Sequence, residues 1–274
     1  MNILEAIILG LLQGLSEFIP ISSTAHLTIA GQLMGLISAE NPEHWTAFIA
    51  TIQLGTLVAV LIYFSKELRE IPEAFVRENL TKKSLPFKSQ SYNSKMGWLI
   101  IIGSIPIVVV GVLLKDVIEG SLTKDLNIIG LSLIILAVLL FLAEKTSKFK
   151  KGMEEITIFD SLIIGIGQCL ALIPGSSRSG TTITAGLFVG LKRDTAARFS
   201  FLLSIPSVFG SGLLEFYQSL EFITSKDLVA LIVATIFSAL SGYASISFLI
   251  KFLKTRSTLS LIHISEPTRL LSIS

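Results

Sequence analysis

Apolar residues come in long blocks along this chain, separated by short polar or basic stretches. Five blocks, near Trp45 to Phe64, Gly97 to Leu114, Leu126 to Ala143, Phe199 to Tyr217 and Leu228 to Phe252, are each long enough for a helix to cross a bilayer. Two further segments, around 3 to 36 and 156 to 191, are apolar at both ends but interrupted by Pro and Ser, the pattern of a helix, a break and a second helix. In the first of these, a helix from about Ile3 to Ile19 puts Gln13 and Glu17 four residues apart and on one face. Pro20 closes that helix. Ser22, Ser23 and Thr24 are natural N-cap residues for a second helix running to about Gly35, whose first amides would point into the gap beside Glu17.

This break concentrates a carboxylate, three hydroxyls and His26 where every neighbour is apolar. Burying such a cluster costs folding energy, so a purely structural role is a poor first reading, and a helix N-terminus beside a carboxylate suits a phosphate and a cation.

Charge between the blocks predicts how they thread. Lys66, Arg69, Arg77, Lys82, Lys83, Lys88 and Lys95 mark the first long loop as cytoplasmic. Lys145, Lys148, Lys150 and Lys151 mark a second such loop, Lys192, Arg193 and Arg198 a third, and Lys251, Lys254 and Arg256 a fourth. The stretches from Lys115 to Lys124 and from Gln218 to Asp227 carry mixed or little charge and fit the outside. The second and third basic loops flank the segment 156 to 191, which therefore enters and leaves on one side, as a re-entrant hairpin or a tight pair of spans, and the polar break at its centre favours the hairpin. The same parity makes the N-terminal segment a hairpin entering from the outside.

Composition agrees with that setting. At 51% hydrophobic and 15% charged residues, 274 residues are too apolar for a soluble domain and read as an integral membrane protein. The net charge of +2 says little. Cys169 is the only cysteine, which excludes an intrachain disulfide, a zinc cluster and a redox pair. The first residues have no basic n-region or small-residue cleavage site, so a removed signal peptide is not expected. No nucleotide or nucleic-acid motif stands out, and no nucleic-acid partner is expected.

The two interrupted segments also resemble each other. Gly10 to Gln13 and Ile19 to Thr24 can be laid, with one gap, on Gly165 to Gln168 and Ile173 to Arg178, which makes Thr24 and Arg178 equivalent. Each segment precedes three expected spans, an odd number, so the second half (about 155–258) is expected to be inverted relative to the first (about 1–145). The fold class read from this is all-α: a polytopic membrane protein of two inverted-topology repeats, each with a re-entrant hairpin, in one domain over 1–258.

Gln13 and Glu17, the run Pro20-Ile21-Ser22-Ser23-Thr24-Ala25-His26, and Pro174-Gly175-Ser176-Ser177-Arg178-Ser179-Gly180 together resemble the bacterial undecaprenyl pyrophosphate phosphatases of the bacitracin-resistance family. Further agreement lies at Ile52 to Gly55, at Ile105-Pro106 and through Phe199 to Pro206, so the likeness covers the chain to about Arg256. The resemblance implies hydrolysis of undecaprenyl pyrophosphate, a polyprenyl pyrophosphate lipid, to the monophosphate and phosphate in the plasma membrane. The site is expected to face outward, and a homodimer is left open. A polyprenyl-phosphate transporter or flippase is the competing class, because inverted repeats with broken helices are also transporter architecture.

Under that resemblance each residue has an expected role. Arg178 would clamp phosphate oxygens with its planar fork, although an Arg can also snorkel or cap a helix. Glu17 and Gln13 would supply oxygen ligands to a divalent cation, Mg²⁺ or Ca²⁺, shared with the substrate. His26 and Ser23 are the candidates for proton transfer and nucleophilic attack. Ser22, Thr24, Gly175, Ser176 and Ser177 would line the phosphate site, and capping alone is the competing reading for the hydroxyls.

The end of the chain departs from this pattern. Leu259 through Arg269 reads as the translation of a transposon-based sequencing adapter, so 259–274 is expected to be non-native and the last span of the second repeat to be missing. His263 and Glu266 are accordingly kept out of any site.

Overall fold

A computed structural model describes residues 1–38, 42–81, 84–114, 126–223 and 227–265. Among them lie eleven α-helices: α1 (Ile3–Phe18), α2 (Ser23–Leu33), α3 (Pro42–Tyr63), α4 (Ser65–Asn79), α5 (Tyr92–Leu113), α6 (Leu126–Thr146), α7 (Ile158–Cys169), α8 (Arg178–Phe188), α9 (Arg193–Ser219), α10 (Leu228–Leu253) and α11 (Thr258–Ser265). No strand occurs among the described residues, only an isolated bridge between Lys151 and Leu191. Five stretches are long and apolar enough to cross a membrane, Glu43–Tyr63, Tyr92–Leu113, Asn127–Thr146, Arg193–Phe222 and Leu228–Leu253, and they match the five apolar blocks. The protein is an all-α polytopic membrane protein. Of the outside loops expected from charge, 115–125 and 224–226 fall beyond the described residues.

Both interrupted segments form helix hairpins, α1 with α2 and α7 with α8. Their breaks follow from local chemistry: Ile19 and Ile173, each before a proline, take extended backbone at ψ 141° and 126°, which ends helical hydrogen bonding. The chain then reverses through a left-handed residue, Ser22 (φ 67°) in the first hairpin and Gly175 (φ 84°) in the second. Capping boxes fix the outer ends, Asn2 with Glu5 for α1 and Thr157 with Asp160 for α7.

The second hairpin is tied shut at its base. The Lys150 and Lys151 amides donate to the Gly190 carbonyl, both at 3.0 Å, and the Lys192 amide donates to the Lys151 carbonyl at 2.9 Å. Chain entry and exit are thus hydrogen-bonded to each other. At the first hairpin, Met1 and Leu36 line one small cavity, so its two ends also lie together.

Small residues let the hairpins approach their neighbours closely. On α1, a Cβ added to Gly10 would sit 2.3 Å from the Ala234 carbonyl oxygen of α10, and one at Gly14 would sit 2.0 Å from Ser241 Oγ. On α7, a Cβ at Gly165 would sit 2.1 Å from the Gly103 carbonyl oxygen of α5. None of these three contacts admits a side chain. Serines then satisfy their hydroxyls on the neighbouring backbone: Ser161 on Leu99, Ser238 on Ile52 and Ser245 on Leu15. So α1 of the first half packs on α10 of the second, and α7 of the second half packs on α5 of the first. A core of Phe18, Phe64, Phe199, Phe201, Ile183 and Leu187 closes the centre, with Phe18 edge-on to Phe201 at 5.3 Å.

Candidate active site

The tips of the two hairpins meet, and Glu17 is the point of contact. Its carboxylate is held by three elements: Gln13 Nε2 of α1 donates to Oε2 at 3.1 Å, Ser23 Oγ of α2 donates to Oε2 at 2.7 Å, and an Arg178 terminal nitrogen of α8 donates to Oε1 at 2.6 Å. The Glu17 and Arg178 side chains are only 8% and 18% exposed, so this ion pair lies mostly out of solvent and each partner depends on the other. Only one of the Arg178 nitrogens is used on Glu17, which leaves the rest of the fork for another anion.

Further contacts tie the tips together. Ser179 Oγ donates to the Ile19 carbonyl at 3.3 Å and lies 3.1 Å from Ser177 Oγ. A Cβ at Gly180 would lie 3.4 Å from Pro20 Cβ. Ser22 and Ser177 are the N-caps of α2 and α8: Ser22 Oγ accepts from the Ala25 amide at 3.5 Å, and Ser177 Oγ from the Gly180 amide at 3.2 Å. Two helix N-termini therefore flank one ion pair, and their first amides can hold an anion.

His26 lies on α2, one turn beyond Ser23. Its Nδ1 is 2.8 Å from the Ser22 carbonyl oxygen, which can only accept, so Nδ1 is the donor of this bond and Nε2 is the nitrogen left for another partner. Ser23 donates to Glu17, and no hydrogen bond joins it to His26 among the described residues. Thr24 is exposed, and Ser176 is half-buried with its amide on the Ile173 carbonyl. Gly175 is buried against α6, where its position would bring a Cβ to 2.7 Å from the Ile129 carbonyl oxygen, and Ser132 Oγ holds the Pro174 carbonyl at 2.6 Å. Gly175 thus seats the break on α6. The sequence reading quoted Ser179 in its motif without a role and overlooked Ser132. Ser132 had a signal, as a lone hydroxyl inside an apolar block.

The residues present fit a divalent cation in part. Because the Gln13 amide nitrogen donates to Glu17, its Oε1 points away, and that oxygen is buried without a partner in a residue only 1% exposed. A spare amide oxygen beside a carboxylate is a hard-cation ligand pair. No cluster of three or more His, Cys, Asp or Glu among the described residues could hold a metal ion, so substrate oxygens would complete the shell.

The profile of a family described as bacitracin resistance protein BacA matches residues 6–263. The chain belongs to this family. An undecaprenyl-diphosphatase of Syntrophobacter fumaroxidans is 56% identical over 258 residues, which cover 94% of this chain and 92% of that protein. Undecaprenyl-diphosphatases of Chlorobium limicola and Chlorobium phaeobacteroides are 50% and 49% identical over 267 residues, 94% of this chain and 91% of each. The match reaches past Leu259, and Leu261 is buried in the core. BacA membership and the five candidate spans make this a multi-pass membrane protein.

Proposed function

We infer that this chain is an undecaprenyl-diphosphatase. It hydrolyses undecaprenyl pyrophosphate to undecaprenyl phosphate and phosphate, which recycles the carrier lipid for peptidoglycan synthesis and confers bacitracin resistance. The observation that carries this reading at the atomic level is the Glu17–Arg178 pair between two helix N-termini, in a chain whose relatives bear that name.

In this reading the terminal phosphate shares Arg178 with Glu17. The free part of the Arg178 fork takes phosphate oxygens, and the first amides of α2 and α8 take others. Gln13 Oε1 and Glu17 would hold a Mg²⁺ or Ca²⁺ ion, which when bound neutralises charge on the substrate oxygens. The two Glu17 oxygens already accept from three donors, whereas the hydrogen bond of His26 runs through Nδ1 and leaves Nε2 for the nucleophile. His26 therefore takes the proton from the nucleophile, water or the Ser23 hydroxyl, as the bridging oxygen–phosphorus bond breaks. Ser22, Thr24, Ser176 and Ser177 border the phosphate, two of them already serving as caps.

We read residues 1–258 as one domain of two inverted repeats in the plasma membrane, with the site facing outward. Two facts support this: the reciprocal packing of α1 on α10 and α7 on α5, and the closed base of the second hairpin beside the basic loops. The test of function is phosphate release from farnesyl and undecaprenyl pyrophosphates by detergent-solubilised protein, with and without chelator. Release that chelation abolishes and added Mg²⁺ or Ca²⁺ restores is expected. Absence of release from folded protein, with vesicle-dependent movement of a polyprenyl phosphate, would replace hydrolysis by transport.

A further inference from the structure

Away from the paired tips, a cavity of about 690 Å³ opens where α5 and α7 begin. Its inner wall is apolar, including Met96, Leu99 and the ring of Phe159, which is itself 68% exposed. Its rim carries Lys88, Lys95 and the Tyr92 hydroxyl, with Glu154 as the one acid. Lys95 holds the Lys88 carbonyl at 3.2 Å, which keeps both chain segments on the same rim.

The height of this cavity is set by the candidate span Tyr92–Leu113, whose first residue is on the rim and whose second turn is on the inner wall. The opening therefore lies where hydrocarbon gives way to headgroups, beside loops whose lysines mark them as cytoplasmic. A groove that is apolar inward and basic at the interface matches an anionic amphiphile, and two lysines against one glutamate favour a net negative headgroup. The volume and chemistry fit an acyl chain lying on Met96, Leu99 and Phe159 with a phosphodiester at Lys88 and Lys95.

We propose that this groove is a binding site for an anionic glycerophospholipid of the cytoplasmic leaflet, separate from the site of hydrolysis. The occupant is a phosphatidylglycerol-type lipid, which the protein carries as a fixed neighbour and does not hydrolyse.

The test extracts the protein from vesicles of equal phosphatidylglycerol and phosphatidylcholine and counts retained lipid by native mass spectrometry. Wild-type protein is expected to keep phosphatidylglycerol preferentially. Lys88→Gln with Lys95→Gln should weaken that preference by about thirtyfold, from two neutralised interfacial lysines, while melting in phosphatidylcholine stays unchanged. If the double variant melts early in phosphatidylcholine, Phe159→Ala, at an exposed position, supplies the comparison and should also reduce retention. Equal retention of the two lipids by wild type, or an undiminished preference in a folded variant, overturns the proposal. So does a loss of undecaprenyl phosphate retention, from vesicles that also contain that lipid, caused by Lys88→Gln with Lys95→Gln, which would assign the groove to the polyprenyl lipid.

Discussion

Arg178→Lys separates the two tasks that one guanidinium performs at the meeting of the hairpins. A single terminal nitrogen of Arg178 satisfies Glu17 Oε1 at 2.6 Å, and the remaining donors are free for phosphate. Lysine has one nitrogen for both, so it can stay beside Glu17 or reach the phosphate but cannot fork across two phosphate oxygens. A preorganised donor of this kind stabilises a transition state by about 2 to 4 kcal/mol, so kcat/KM should fall by about 30- to 900-fold. Stability should barely move, because a cation remains next to a carboxylate that is only 8% exposed. Arg178→Ala, in contrast, leaves that carboxylate unpaired and should cost about 3 kcal/mol or more of folding stability. Phosphate release and thermal melting in one detergent measure the two quantities on the same samples. Turnover by Arg178→Lys within about fivefold of wild type would refute the phosphate clamp, and equal destabilisation by Lys and Ala would refute the division of tasks.

Ser179→Ala should lower stability by about 1 to 2 kcal/mol, because it removes the hydrogen bond to the Ile19 carbonyl from a residue only 2% exposed, while phosphate release by the folded protein stays within about tenfold. Gly165→Ala should be poorly tolerated, with its Cβ 2.1 Å from the Gly103 oxygen, whereas Gly111→Ala, with nothing within 4 Å, should stabilise by about 0.5 to 1 kcal/mol; melting curves compare them. The Ser91 amide on Glu78, with Arg77 beside it, holds that carboxyl below its ordinary value. Its contribution to stability is therefore full above the unfolded value of about 4.3 and lost as pH falls through the lowered native one, so melting of Glu78→Gln should lack this acid dependence. In a Cys169→Ser background, single cysteines at the exposed positions Ser89 and Gln218 should label from opposite sides of intact cells, Gln218 with an impermeant reagent; the reverse pattern would invert the orientation.

The parts of this molecule that were legible in its sequence are those set by local chemistry. Block length announced the five candidate spans, and Pro20 and Pro174 announced the two breaks, Pro20 two residues past the end of α1 and Pro174 two past the 3-10 turn that follows α7. Spacing placed Gln13 and Glu17 on one face, where they are hydrogen-bonded. What spacing could not supply was partners across the chain. The Leu228 to Phe252 block read as plain hydrophobic span, yet Ser238, Ser241, Gly242 and Ser245 form the surface that admits α1 and α3. Small residues look apolar or neutral one at a time, and only the neighbouring helix gives them meaning. Ser23 likewise stood nearer to His26 than to Glu17 in sequence, and the turn geometry at Ser22 decided for Glu17. Gly175 was expected beside phosphate, and a contact with α6, 42 residues away from Pro174 at Ser132, occupies it instead.

The acid and the guanidinium that meet at the hairpin tips are 161 residues apart in the chain. At about 5 to 20 residues per second, a ribosome makes Arg178 roughly 8 to 32 s after Glu17. During that interval a carboxylate already attached to an apolar helix has no cation to accompany it into the bilayer. The first hairpin is thus the earliest element made and among the last that can settle, its acid without a counterpart until Arg178 is threaded. A nascent chain cannot act on lipid before both halves exist, so in this protein the order of synthesis itself delays activity until assembly is complete.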